Sequence, residues 1–298
     1  VPFVHSPPQT ISEGGEFNAQ KRVMNQPPPS KLFLEGRYRK LSRDLPQTVF
    51  FCPECKGHQR RRRKCTRCEG FGKLTRDSVQ ELLGWVVGKA FGTRKNKFHG
   101  AGREDVDVRM LGDGRPFVLE LLNPSVFDVD LAALEAEVNR RNEGRLEILN
   151  LHWTEKARIA ILKETPHAKE YEAVVEVGAD PDPELIENLL GRRVEILQRT
   201  PSRVAHRRAD KERQRWIEVK SFERDPEHED RRVVRMRTMH GTYVKEVLSG
   251  ESGRTDPSVA ELVGVSCRCL TLDVTAILDE EGEPEVALTP PPSFGDGI

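Results

Sequence analysis

Two periods run along this chain and separate its helical stretches from its extended ones. Val79, Leu82, Leu83, Val86 and Val87 recur at helical spacing and predict a helix over residues 75–90, with Asp77 or Ser78 as its cap. Leu131, Leu134 and Val138 predict a second helix over 130–141, and Asp182 can cap a third over 183–190. Residues 242–249 and 257–263 are shorter helical candidates. The other period is two. Residues 105–110 alternate strictly, which puts Val106, Val108 and Met110 on one face of a strand. Gly112-Asp113-Gly114 then predicts a turn, and 116–122 a second strand antiparallel to the first. Further strands are predicted over 171–177, 194–197, 216–222, 233–239 and 270–278. Strands outnumber helices and come in mixed order, which predicts an α+β fold with a mixed, mainly antiparallel sheet. Residues 32–51 show only a short, mixed pattern, and 1–30, with Pro7-Pro8, Gly14-Gly15 and Pro27-Pro28-Pro29, read as irregular.

Composition narrows the class. At 298 residues and 36% hydrophobic content the chain can build two modest domains, or one large domain with an appendage. No run approaches the ~18–20 apolar residues of a membrane helix, and no charged-then-apolar leader is present. A cytoplasmic protein without a membrane partner is the expectation. Lys and Arg number 48 against 48 Asp and Glu, so the net charge is zero. That excludes nucleic-acid binding through overall positive charge but leaves local patches open. Composition shifts near residue 76, which predicts a small module over 1–76 and a larger domain over 77–298.

Cys52, Cys55, Cys65 and Cys68 form C-x2-C-x9-C-x2-C. Two C-x-x-C turns present four thiolates suited to one tetrahedral zinc, and four soft ligands leave no position open for water, so the metal is expected to be structural. The segment also resembles a zinc repeat of the Hsp40-type co-chaperones, which carry more such pairs. Between the pairs stand Arg60, Arg61, Arg62, Arg63 and Lys64, flanked by Lys56 and Arg67: seven cations and no acid in twelve residues. A solvated loop is the plain reading; a surface for the phosphates of RNA or DNA is the functional one. Cys267 and Cys269, flanking Arg268, are expected to pack in the core.

Gly102-Arg103-Glu104-Asp105 joins a glycine-rich turn to the alternating stretch, and Gly114-Arg115-Pro116-Phe117 follows. Gly102-Arg103-x-Asp105 resembles the catalytic signature of pseudouridine synthases. The longer run is similar to the archaeal and eukaryotic tRNA pseudouridine synthases that carry an N-terminal THUMP-containing accessory domain and modify T-loop positions 54 and 55. Lys169-x-Tyr171-x-Ala173 resembles the tyrosine motif of that branch, and Thr200-Pro201-x-Arg203-Val204-x-His206-Arg207-Arg208 its basic segment. Gly241-Thr242-Tyr243-Val244-Lys245-Glu246 resembles its third motif. The match runs from about residue 32 to 275.

The resemblance implies an isomerase, with 77–298 as the pseudouridine synthase domain and 1–76 as the zinc-bearing remnant of the accessory domain. It implies Asp105 as nucleophile, needing a cation to keep it charged where water is excluded. Lys245 is the candidate cation and Arg103 its neighbouring alternative. Tyr171 is the platform for a flipped uridine and a group for proton transfer at C5. Tyr243, Arg203, Arg207 and Arg208 are implied substrate contacts. The isomerisation needs no catalytic cofactor, and the expected partner is the T-arm of tRNA, engaged by a monomer without guide RNA. The alternative is a zinc-containing RNA-binding protein without catalysis. Gly253-Arg254-Thr255-Asp256 also spells G-R-x-D, but no alternating strand follows it. In sequence, seven cations from Arg199 to Arg215 form a second basic patch, and the acids at 279–285 offset such patches in the net count.

Overall fold

Leu32, Leu34, Tyr38 and Lys40 are all buried along β1 (Lys31–Lys40), one face of a strand that the mixed pattern of 32–51 conceals. The computed structural model describes residues 30–206 and 208–278; the irregular segment 1–29, Arg207 and the acid cluster 279–285 lie outside the described residues. The described chain forms two compact units, one holding 30–107 and 113–165, the other 108–112 and 166–278.

In the first unit a short turn of helix, α1 (Gln59–Arg62), lies between the cysteine pairs, followed by α2 (Val79–Ala90), β2 (Lys95–Gly100) and β3 (Arg109–Leu122), whose residues 113–122 belong here. Then come α3 (Leu131–Arg141), β4 (Leu146–Thr154) and α4 (Lys156–Glu164). β1 lies between β4 and β3, antiparallel to β4 with Tyr38 opposite Ile148, and β2 pairs antiparallel with β3. Of the two candidate caps for α2, Ser78 takes the role: its Oγ accepts the Glu81 amide at 3.2 Å. Asp77 instead holds Arg145 in a fork at 2.7 and 2.9 Å, which pulls its carboxyl below the usual carboxylate range. The predicted apolar stripe of α2 is buried, each large side chain contributing roughly 1.5–3 kcal/mol. α3, capped by Asp130, buries Leu134 and Val138 and packs on β4 and α2. Beneath the sheet, Phe98 stacks on Phe117 at 5.4 Å and meets Tyr38 edge-on at 5.8 Å.

The second unit holds β5 (Lys169–Val177), α5 (Pro183–Leu189), β6 (Arg193–Arg199), α6 (Ser202–Ala205), β7 (Glu212–Asp225) and β8 (His228–Thr238). α7 (Val244–Ser249), β9 (Thr255–Asp256), α8 (Val259–Leu262) and β10 (Cys267–Ile277) complete it. Its strands run in the order β10-β5-β8-β7-β6-β9, every neighbouring pair antiparallel. Arg109 and Met110, the start of β3, add a parallel edge to β10. Ala173, Val175, Ile217, Val219, Val234 and Met236 fill the core, with α7 against β10. Cys267 is buried, which pushes its thiol up to about 11, while Cys269 is half-buried. The α+β class and the mainly antiparallel sheet are as the alternation predicts.

Two local expectations fail. Residues 105–108 do not extend into a strand, because the carbonyls of Asp105 and Val106 are taken by the Lys40 ammonium, at 2.8 and 3.0 Å, rather than by a ladder partner. Nor does the chain reverse at Gly112–Gly114; β3 runs straight through. The glycines answer a different demand. A Cβ on Gly112 would stand 1.9 Å from the Thr275 carbonyl oxygen, one on Gly114 2.7 Å from that of Tyr38, and both have positive φ.

Candidate active site

The loop before β3 is anchored from within. Glu104, between Arg103 and Asp105, turns inward and is buried. Its carboxylate accepts from the Tyr38 hydroxyl at 2.9 Å and from Arg115 Nε at 2.8 Å, with Lys40 Nζ 4.0 Å away. Arg115 also donates Nη1 to the Ala101 carbonyl at 2.7 Å, and Gln47 Nε2 bridges the Gly102 carbonyl and the Tyr38 oxygen, each at 2.9 Å. Lys40 reaches a third carbonyl, that of Leu45, at 2.8 Å. Every stretch of the loop from Ala101 to Val106 is thus tied to a buried side chain. Burial drives the Lys40 ammonium down to about 8 against the pull of Glu104, and raises the Tyr38 phenol well above its usual range. With Glu104 locked inward, Arg103 is left exposed and Asp105 half-buried. Asp107 is exposed, its carbonyl accepting from Arg43 at 3.0 Å.

Tyr171, Lys245, Tyr243 and Arg203 belong to the second unit, while Arg103 and Asp105 belong to the first. Tyr171 is half-buried on β5, opposite Met236 of β8 and Val274 of β10, in phase with buried Ala173 and Val175. Lys245 stands in the first turn of α7, half-buried, on a helix anchored by Val244, Val247 and Leu248. Tyr243 precedes that helix, and Gln198 clasps its backbone from β6: the side-chain oxygen accepts the Tyr243 amide at 2.8 Å and the amide nitrogen donates to its carbonyl at 3.1 Å. Arg203 is held by Glu246, Nε to Oε1 at 2.5 Å, and Arg208 is exposed. In the second G-R-x-D copy, Arg254 donates to the Thr200 carbonyl and to Asp210, and Asp256 is exposed on the two-residue β9. That segment ties down a loop, with Thr255 Oγ1 accepting from Gln198 Nε2 at 3.0 Å.

The four cysteines converge. All four Sγ atoms lie within 4.8 Å of one another, with Cys52 and Cys65 at 3.7 Å and Cys55 and Cys68 at 3.6 Å. A tetrahedron with bonds of ~2.3 Å to zinc has an S···S edge of about 3.8 Å, so the sulfurs already have the spacing such an ion requires. The Gly72 amide donates to Cys68 Sγ at 3.1 Å, a contact that favours the thiolate form of a ligand. His58 is exposed and outside the cluster. Arg60, Arg61, Arg62, Arg63 and Lys64 are all exposed on and after α1. Phe51 and Phe71, also exposed, flank the same module.

A family model described as "Pus10, C-terminal" matches residues 33–278. The chain belongs to the Pus10 family. Proteins named tRNA pseudouridine synthase Pus10 from Methanothermobacter marburgensis and Methanopyrus kandleri are each 45% identical to it, over 272 and 257 residues. The alignments cover 90% and 85% of this chain but 64% and 57% of those proteins, so the chain spans about three-fifths of their length. Among solved structures, a chain from the crystal structure of a Cbf5-Nop10-Gar1 complex aligns over 67% of this chain and 45% of its own, at 18% identity and a TM-score of 0.37. The Pus10 match takes in both units, the cysteine cluster and the loop before β3. Of the residues that organise that loop, Arg115 falls in the quoted Gly114–Phe117 segment without an assigned role, whereas Glu104, Lys40, Tyr38 and Gln47 escape a motif reading, Glu104 because it occupies the variable position. One signal was available: Lys40 falls on the same phase as Leu32, Leu34 and Tyr38, a charge on an apolar stripe. No helix among the described residues is long and apolar enough to cross a membrane.

Proposed function

We propose that this chain isomerises uridine to pseudouridine in the T-loop of tRNA, at position 54, 55 or both, as a cytoplasmic monomer acting without guide RNA. The reading is carried by the family match over 33–278. Supporting it, the Gly102-Arg103-Glu104-Asp105 loop is clamped by buried groups that take up the carboxylate of Glu104 and leave Asp105 half-buried. In the reaction C1′ leaves N1 and bonds to C5, a proton is lost at C5 and one is gained at N1. No electrons are exchanged, so no redox cofactor is called for. Asp105 is the nucleophile toward the nucleoside, and Lys245, with Arg103 as alternative, supplies the positive charge that keeps it ionised in a dry site. Tyr171 receives the flipped uracil and serves proton transfer at C5. Tyr243, Arg203, Arg207 and Arg208 hold the RNA. Residues 77–298 carry the reacting groups, and β1 contributes Tyr38 and Lys40 beneath the Asp105 loop.

Cys52, Cys55, Cys65 and Cys68 would hold a zinc ion that stiffens the module presenting Arg60–Lys64 to phosphate. Those exposed cations also favour the second reading, an RNA-binding protein without catalysis. Carbodiimide primer extension on unmodified tRNA with the purified chain alone separates the two. Pseudouridine should form, and Asp105→Asn should abolish it while tRNA binding persists. Product from Asp105→Asn, with none from Asp256→Asn, would overturn the assignment of the nucleophile.

A further inference from the structure

The seven cations that gather in sequence between Arg199 and Arg215 are not equivalent in the fold. Arg199 grips Asp210, Nη2 to Oδ2 at 2.6 Å, and Arg203 grips Glu246. Arg208 and Lys211 are exposed. Arg213 and Arg215 differ from all of these. Two positions apart on β7, they lie on one face of the strand. Arg213 Nη1 donates to Thr200 Oγ1 at 2.9 Å and to the Lys211 carbonyl at 3.0 Å, both neutral acceptors. Arg215 Nη1 donates to the Gln214 carbonyl at 2.6 Å, and its Nε is buried without an acceptor. Among the described residues no carboxylate answers either guanidinium.

Half-buried cations without a counter-ion are costly in water-poor surroundings. Burial first, and the like charge of Arg213 second, push the Arg215 pKa down. An anion brought to Arg215 would relieve both. The place is also telling. Arg215 Nη2 lies 3.6 Å from the position of a Cβ on Gly241, and Tyr243 is close enough to couple to it electrostatically. Gly241 and Tyr243 are the segment that leads into Lys245.

We propose that Arg215, with Arg213 beside it, binds a backbone phosphate of the RNA substrate at the Gly241–Tyr243 turn. The proposal rests on the function above, and it names the contact that seats the RNA on the second unit. A phosphodiester offers two oxygens to a planar guanidinium, a fork that ammonium groups cannot complete. Arg199, already neutralised by Asp210, would add little to the same task.

The test is binding of an unmodified tRNA transcript to the 298-residue chain across a KCl series, with pseudouridine formation measured in parallel. Arg215→Gln should weaken binding roughly tenfold, the effect of losing one charged hydrogen-bond pair, and flatten the log–log salt slope by about one. Arg215→Lys should keep the wild-type slope with weaker binding. Arg268→Gln, a cation paired with Glu176 at 2.7 Å, should keep both slope and affinity. Wild-type affinity in Arg215→Gln, or weaker binding at an unchanged salt slope, would overturn the phosphate contact and leave the catalytic reading standing. Wild-type chain that binds tRNA with the expected slopes but forms no pseudouridine would remove the catalytic reading and leave the contact.

Discussion

Glu104→Gln is the perturbation that interrogates the Asp105 loop most directly. The carboxylate of Glu104 lies between Arg115 Nε at 2.8 Å and Lys40 Nζ at 4.0 Å, and the two cationic side chains are 1% and 0% exposed, so neither can turn to water when it is neutralised. An amide keeps the shape and removes the charge. It also puts an NH2 donor where Tyr38 and Arg115 both donate. Breaking a buried pair by removing one partner costs about 3–5 kcal/mol, most of it the penalty on the charge left behind. For a chain of this size each kcal/mol moves Tm by ~2–4 °C, so a fall of roughly 6–20 °C is expected. The assay is thermal and urea unfolding of Glu104→Gln, Arg115→Met and the double variant at pH 7. The double variant should recover part of the loss, with a coupling energy of roughly 2 kcal/mol or more. At a temperature where Glu104→Gln stays folded, pseudouridine formation should drop on the order of tenfold or beyond, because Asp105 is the next residue and small misplacements are expensive. A cost below about 1 kcal/mol, or simple additivity of the two substitutions, would refute the account of the loop as charge-clamped.

Three further expectations follow from particular contacts. Lys40 titrates near 8 in the fold against an ordinary 10.5, so between those values the native state holds fewer protons than the unfolded chain and stability rises with pH. Measured against Lys40→Met, the wild-type chain should gain up to roughly 3 kcal/mol across that window; a difference independent of pH would contradict it. Gly112→Ala places a methyl 1.9 Å from the Thr275 carbonyl oxygen at a φ of +57°, and should lose at least roughly 2 kcal/mol in chemical denaturation, whereas Gly144→Ala, with open space around it, should lose only the cost of its positive φ. Metal analysis should find one zinc per chain, and its removal by chelator, or Cys68→Ser, should expose the module of 52–68 to proteolysis while the sheet of the second unit keeps its far-UV signal.

Much of this architecture is written plainly in the chain. The stripe of Val79, Leu82, Leu83, Val86 and Val87, and the caps at Ser78 and Asp182, gave helices in place because burial and capping pull in the same direction there. The strands of the second unit were legible for the same reason, as were the four cysteines. β1 was not, since its buried phase includes Gly36 and a lysine. β2 offers only Phe98 as an apolar residue, and α4 buries Leu162 alone, so neither leaves a period to detect. At residues 105–108 the alternation was real but the backbone partners were not: a lysine distant in sequence took the carbonyls that a strand would have shared. Gly112 and Gly114 speak for close backbone approach in the same letters that spell a turn. Among the cations of 199–215 the sequence could count charges, yet which of them are already neutralised depends on Asp210 and Glu246, and only the fold brings those into reach.

The side chain of Arg115 gives one nitrogen to Glu104 and another to the Ala101 carbonyl, an arrangement that no other amino acid reproduces. Because Glu104 answers to arginine, lysine and tyrosine together, a lone replacement at any of these sites leaves its companions stranded. Divergence beneath this loop would therefore have to proceed by simultaneous exchanges. Relatives that keep one member of the set should keep the others, even where the surrounding apolar residues have drifted freely.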